Sequence, residues 1–196
     1  MKSKRILFMV EIAVFSALAF IFDLLANVVS FSLWPQGGSV SISMVPVFLM
    51  AYRWGIKGGV TTGLLLGLLQ ILSGTAYIMH PFQGLLDYIV AYTVVGFAGI
   101  VFKYAGREKT GVRDVKTSGL LILGVLVGST LRFLAHFIAG MVFFGSGAAD
   151  GQSVVVFSLF YNLSYMLPSV IASGIVMMLL FAAAPGTILR KATYHS

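Results

Sequence analysis

Six long apolar runs alternate with short polar connections along this chain, and each run predicts a helix in contact with lipid. A helix needs about 20 apolar residues to cross the hydrocarbon core of a bilayer. The runs cover residues 6–29, 42–54, 58–72, 82–102, 118–144 and 154–184. The second and third are short for a span, and the second contains Pro46. The expected fold class is an all-α integral membrane protein of six transmembrane helices, a single membrane domain over residues 1–196. Small residues mark two faces. Gly55, Gly59, Gly63 and Gly67 recur every fourth residue, a row that lets a neighbouring helix approach closely. Ala13 and Ala17, with Ala19 nearby, form a smaller patch on the first span, for internal packing or for a partner subunit.

Charge then gives the orientation. Hydrophobic residues make up 59% of the 196 and charged residues only 10%, a ratio no water-exposed surface supports. Of the 13 Lys and Arg, all but Arg132 lie at the N-terminus, in alternate connections or at the C-terminus. That is the positive-inside pattern, and it predicts that both termini are cytoplasmic. The turn 53–57, the loop KYAGREKTGVRDVK and the tail around Arg190 and Lys191 fall inside; FSLWPQGGSVS, SGTAYIMHP and GSGAADGQ fall outside. The net charge of +7 is thereby a topology signal and not a nucleic-acid footprint. The first run follows MKSKR but is interrupted by Glu11 and Asp23 and closes on no small-residue cleavage pattern, so it reads as an uncleaved span. With no cysteine, disulfides, thiolate metal sites and Cys nucleophiles are excluded.

The ionisable groups left inside the runs each need a partner or a purpose, because a charge at mid-membrane costs on the order of 3 kcal/mol. Glu11 lies about one turn into the first span, within reach of water or basic neighbours, and reads as structural. Asp23 is deeper, in the outer half, where it faces Arg132 as a possible partner. Asp87, Arg132, His136 and Asn162 come from three different spans and fall at similar outer depth, with Arg132 and His136 one helical turn apart on one face. Trp34, Tyr77, Tyr88, Phe144 and Phe157 lie at the same level. Singly, each belongs to the aromatic belt of a membrane interface. Together with a carboxylate and several hydrogen-bonding side chains they describe a pocket open to the outside. Its chemistry suits a flat heteroaromatic cation: ring faces attract positive charge, a desolvated carboxylate neutralises it, and Asn and His supply directional hydrogen bonds. No GxxxxGK[ST] phosphate loop, HExxH zinc motif or GxSxG elbow is present. Ser129 and Ser164 near His136 are weak nucleophile candidates, since helical Ser usually packs or bonds back to the backbone.

Four strings then carry a resemblance: SLWPQGGSVSISMVPVFLMAYRWG, YIMHPFQGLLDY, RFLAHFIAGMVFF and YNLSYMLP. In order and spacing they resemble the thiamine-specific substrate-binding (S) component of energy-coupling factor (ECF) transporters, over most of the chain. The resemblance implies six membrane helices, high-affinity capture of thiamine from the extracellular side of a bacterial plasma membrane, and no enzymatic activity or cofactor. It implies as partners a transmembrane coupling protein and two ATPase subunits that use the ATP. It places Trp34, Tyr77, Asp87, Tyr88, His136, Gly140 and Asn162 at binding positions. Some relatives of the family carry Glu in place of Asp87, and a Trp and a Tyr can occur at the positions of Phe144 and Phe157. Arg132 and Asp23 are left as charge-balancing groups. Alanines spaced by four on the first helix dock the coupling protein in that family; Ala13 and Ala17 match, and Ile21 stands where a third would fall. The rival readings are an S component for another vitamin, a stand-alone carrier using Asp87 or Asp23 as a proton site, and an intramembrane enzyme.

Overall fold

A computed structural model of the protein describes residues 2–30, 33–34, 37–102 and 115–184. The basic loop 103–114 and the tail around Arg190 and Lys191 lie outside the described residues. Every regular element described is helical: α1 (Lys2–Ser30), α2 (Met44–Trp54), α3 (Ile56–Leu72), α4 (Pro81–Gly84), a π-helical segment (Leu85–Val90), α5 (Ala91–Val95), α6 (Ala98–Phe102), α7 (Val115–Phe143) and α8 (Val154–Ala183). Among the described residues, four helical stretches are long and apolar enough to cross a membrane: Ser3–Val28, Pro81–Val101, Lys116–Phe143 and Val154–Ala183. The helix Ile56–Leu72 is apolar but shorter.

The helices are dressed for lipid. Val14, Ile21, Leu25 and Val28 of α1 are exposed, as are Leu134, Ile138 and Val142 of α7 and Leu167, Ile171, Ile175 and Leu179 of α8. Polar side chains turn inward instead. On α8 the stripe Ser158, Asn162, Tyr165, Ser169 and Ser173 is buried at helical spacing, and on α1 Ser16 and Asp23 are buried. This inversion is expected where the surrounding solvent is as apolar as leucine and helices associate through packing and hydrogen bonds. The apolar core sits below that polar level and joins Met44 and Phe48 of α2, Leu66 of α3, Val95 of α5, Leu121 of α7, and Met177 and Phe181 of α8.

The glycine row works by close approach, with one exception. A Cβ on Gly59 would meet the backbone of Gly96, one on Gly63 the carbonyl of Tyr92, and one on Gly67 the carbonyl of Tyr88. Three glycines therefore seat α3 directly on the backbone of the π segment and α5. Gly55 does not belong to that row. It separates α2 from α3 at φ +72° with open space around it, a left-handed conformation that glycine adopts without steric cost. Pro46 falls in the first turn of α2, where its missing N–H removes no helical bond.

On the side opposite the polar level, Glu11 accepts a bidentate pair from Arg53, Nε and the terminal nitrogen each at 2.6 Å, and a third bond from Trp54 Nε1 at 2.6 Å. Phe8 stands edge-on to Trp54 at 5.1 Å. The clasp ties α1 to the end of α2. Glu11 is thus structural. Ala13 and Ala17 lie on the exposed side of α1, whereas Ala19 is fully buried in the core, so the expected three-alanine patch is reduced to two.

Candidate functional site

Asp87 is positioned by an irregularity in its helix. Pro81 opens α4 at the first helical position, capped by His80, whose Nδ1 accepts from the Phe82 amide at 3.2 Å. After one turn the chain widens into the π segment Leu85–Val90. A π turn inserts an extra residue and re-aims the side chains around it, and such segments recur at functional sites. Here Asp87 turns inward and is buried, while Leu85 stays exposed. Gln83 Nε2 donates to Asp87 Oδ2 at 2.7 Å and to the Tyr77 carbonyl at 3.0 Å, tying the carboxylate to the preceding connection. The Tyr88 hydroxyl accepts from the Tyr77 amide at 2.7 Å.

Across the cavity, α7 presents Arg132 and His136. His136 Nδ1 lies 2.8 Å from Asp87 Oδ1, and Arg132 Nε donates to His136 Nε2 at 3.3 Å. A guanidinium only donates, so Nε2 must be the acceptor and the ring proton is assigned to Nδ1, pointing at Asp87. His136 is then a neutral imidazole bridging a cation and an anion. The Arg132 guanidinium also sits 4.3 Å from the centre of the Tyr92 ring and donates to the Tyr92 hydroxyl at 3.0 Å. That hydroxyl accepts from Gln70 Nε2 at 3.0 Å and donates to Asp23 Oδ1 at 3.3 Å. Asp23 also accepts from Gln70 Nε2 at 2.5 Å and from Asn27 at 2.9 Å. Asp23 and Arg132 are therefore bridged by a tyrosine, not joined in a direct pair.

The wall opposite belongs to α8. Asn162 donates to the Ser158 carbonyl at 2.8 Å, and its Oδ1 accepts the Tyr165 hydroxyl at 2.6 Å. Gly140 faces this wall. A Cβ there would collide with the Ser158 hydroxyl and stand 3.1 Å from Asn162 Nδ2, so only glycine leaves α7 this close to α8. Over the top, the connection after α1 is fastened to α8, through the Ser41 amide to Ser169 Oγ at 3.1 Å and, nearer the cavity, at Trp34 and Gly37. Trp34 Nε1 donates to Ser164 Oγ at 2.7 Å, and the Tyr161 hydroxyl donates to the Gly37 carbonyl at 2.9 Å. Tyr77 and Phe144 stack at 6.3 Å on the remaining side.

These groups enclose a cavity of about 310 Å³, at the lower end of the range for small-molecule sites. The structure brings Trp34, Tyr77, Asp87, Tyr88, His136, Gly140, Phe144, Phe157 and Asn162 to its walls, together with Asp23 and Arg132. Ala13 and Ala17 lie elsewhere, on the exposed side of α1. Sequence reasoning missed Gln70, Gln83, Tyr92, Tyr161 and Tyr165, all of which line the cavity. Tyr161 and Tyr165 sit four apart and flank Asn162, so an aromatic row on the same helix as a known polar position was a usable signal. Gln83 precedes Asp87 by one turn, a second such signal. Among the described residues no group of His, Asp and Glu is arranged to hold a metal ion.

Residues 9–189 match the family model described as "Thiamine transporter protein". Over 188 residues the chain is 46% identical to the thiamine transporter ThiT of Bacillus subtilis (strain 168), covering 94% of this chain and 95% of that one. It is 31% identical over 155 residues to the thiamine transporter ThiT of Lacticaseibacillus paracasei, covering 78% of this chain and 77% of the other. The fold is similar to a solved structure of ThiT from Listeria monocytogenes, with a TM-score of 0.81 at 29% identity, spanning 95% of this chain and all of that one. With its membrane-length helices, the chain is a multi-pass bacterial membrane protein that transports and does not catalyse. It belongs to the thiamine transporter family.

Proposed function

We propose that this chain is the thiamine-capturing S component of an ECF-type importer, a single six-span membrane domain with both termini in the cytoplasm. The observation that carries the reading is the Asp87 carboxylate, buried at 2.8 Å from a neutral His136 in a cavity walled by aromatic rings, in a chain of the thiamine transporter family. Thiamine joins a permanently cationic thiazolium to an aminopyrimidine. Asp87 compensates the thiazolium charge, with Trp34 and His136 flanking that ring. Tyr88, Asn162 and the backbone at Gly140 orient the aminopyrimidine, and Phe144 stacks on it with Tyr77 behind. Phe157 closes the rim with an apolar ring. The connection carrying Trp34 and Gly37 is the lid, released when the bonds to Ser164 and Tyr161 open.

Transport inward needs energy that this sequence has no phosphate loop to extract. The coupling protein and two ATPases supply it, and the exposed Ala13–Ala17 face of α1 is where the coupling protein docks. Calorimetry on the purified protein tests the charge role. Asp87→Asn is expected to weaken thiamine by about 30-fold or more, while an isosteric neutral analogue with a thiophene in place of the thiazolium shifts by no more than about threefold. An equal loss for both ligands removes Asp87 from the role of counter-ion.

A further inference from the structure

A cavity built for a cation contains a cation of its own. Arg132 is 4% exposed and lines the same cavity as Asp87, where an unbalanced guanidinium would repel a positively charged ligand. The structure restrains it in two ways. Its Nε is committed to His136 at 3.3 Å, and its terminal nitrogen and flat face are committed to Tyr92, at 3.0 Å from the hydroxyl and 4.3 Å from the ring centre. Restraint fixes the position of a charge without cancelling it. Cancellation comes from Asp23, 2% exposed, which accepts a hydrogen bond from the Tyr92 hydroxyl at 3.3 Å.

The donors assigned around Tyr92 order the protons in this relay. Arg132 and Gln70 both donate to the Tyr92 oxygen, so the tyrosine's single hydrogen is left for Asp23. Asp23 thus receives donors from Tyr92, Gln70 and Asn27, hydrogen bonds that favour its ionised form against the cost of burial. Among the described residues that line the cavity, the ionisable side chains besides tyrosines are Asp23, Asp87, Arg132 and His136. With His136 neutral, the two carboxylates and one guanidinium leave one net negative charge.

We propose that Asp23 sets the charge selectivity of the cavity: it neutralises Arg132 through the Tyr92 hydroxyl, so that Asp87 faces a monocation alone. Asp23 is a positioning residue for electrostatics and not a ligand contact. The inference rests on the thiamine reading and adds the group that decides how strongly a cation is preferred over its neutral isostere.

The test measures that preference, the ratio of the neutral thiophene analogue's Kd to that of thiamine, on the full chain in detergent. Asp23→Asn keeps the side-chain shape and is expected to lower the ratio by about tenfold, with neutral-analogue binding within about twofold of the unmodified protein. Arg132→Gln, which removes the opposing charge, is expected to raise the ratio or hold it, whatever it does to absolute affinity. The double variant is expected to return to within about threefold of the starting ratio, because Asp87 is again the one unbalanced charge. Binding of the neutral analogue reports folding of each variant, and Arg132→Gln carries the test by itself if Asp23→Asn does not fold. Equal losses for both ligands in Asp23→Asn, a fall in the ratio in Arg132→Gln, or a double variant no better than Asp23→Asn would each overturn the proposal. If the unmodified protein binds thiamine and the ratios fail to split, the inference alone falls. If the unmodified protein does not bind thiamine, the functional reading falls with it.

Discussion

At the scale of single residues, the site is a chain of committed protons. Arg132 forces His136 to accept, His136 donates to Asp87, and Gln83 holds the other Asp87 oxygen at 2.7 Å. Preorganisation of this kind lowers the ordering cost when a ligand arrives. The lid obeys the same logic with fewer bonds. Replacing Ser164 with Ala removes the acceptor of the Trp34 indole and leaves the Tyr161–Gly37 bond in place. A hydrogen bond of this type contributes about 1 kcal/mol, so thiamine dissociation should speed up by about fivefold with little change in association. Stopped-flow fluorescence reads both rates, and an unchanged dissociation rate would show that Ser164 does not hold the lid. The polar and charged positions of the cavity were legible in the sequence because Asp87, Arg132, His136 and Asn162 are costly in apolar helices. Gln70 and Tyr92 were not, because an amide or tyrosine among leucines looks like ordinary packing until its partners are seen.

Elements carry the next level of control. The π segment turns Asp87 inward, and α3 seats that segment and α5 through close glycine contacts. Gly63→Ala would drive a methyl group into the Tyr92 carbonyl, with the backbone of Thr93 beside it and no flexible side-chain tip to yield. Overpacking of this sort costs about 1–3 kcal/mol. The thermal midpoint in detergent should fall, and thiamine affinity with it, because Tyr88 and Tyr92 move with the backbone that Gly63 and Gly67 support. A variant with unaltered midpoint and affinity would contradict the close-approach account. The four-residue spacing revealed that face, yet it also drew in Gly55, whose period matches but whose backbone turns at φ +72°. Spacing reports where a residue would lie if the helix continued, and α2 ends there. The π turn left no trace in the hydrophobic pattern, since one extra residue in six shifts the period too little to detect.

For the whole molecule, the distribution of polarity separates two ends. Near one end of α1 Glu11 binds Arg53 and Trp54; further along the same helix Asp23 joins the cavity. The apolar runs and basic connections made the membrane character readable without a structure, because lipid imposes that pattern on any spanning helix. Convergence of distant runs on one cavity was readable only as shared depth. Which helix faces which is decided by packing, and α3 with its glycine face contacts α1, α2 and α5 in ways no single run announces. The same geography supplies the decisive experiment. The chain has two tryptophans, Trp34 at the cavity and Trp54 bonded to Glu11 away from it. Thiamine titrated into the purified protein in detergent, followed by intrinsic tryptophan fluorescence, therefore reports on one residue at the lid. Saturable quenching is expected at low thiamine concentration, disappearing in Trp34→Phe while calorimetry still detects binding. No quenching and no heat from folded, unmodified protein would contradict the thiamine reading.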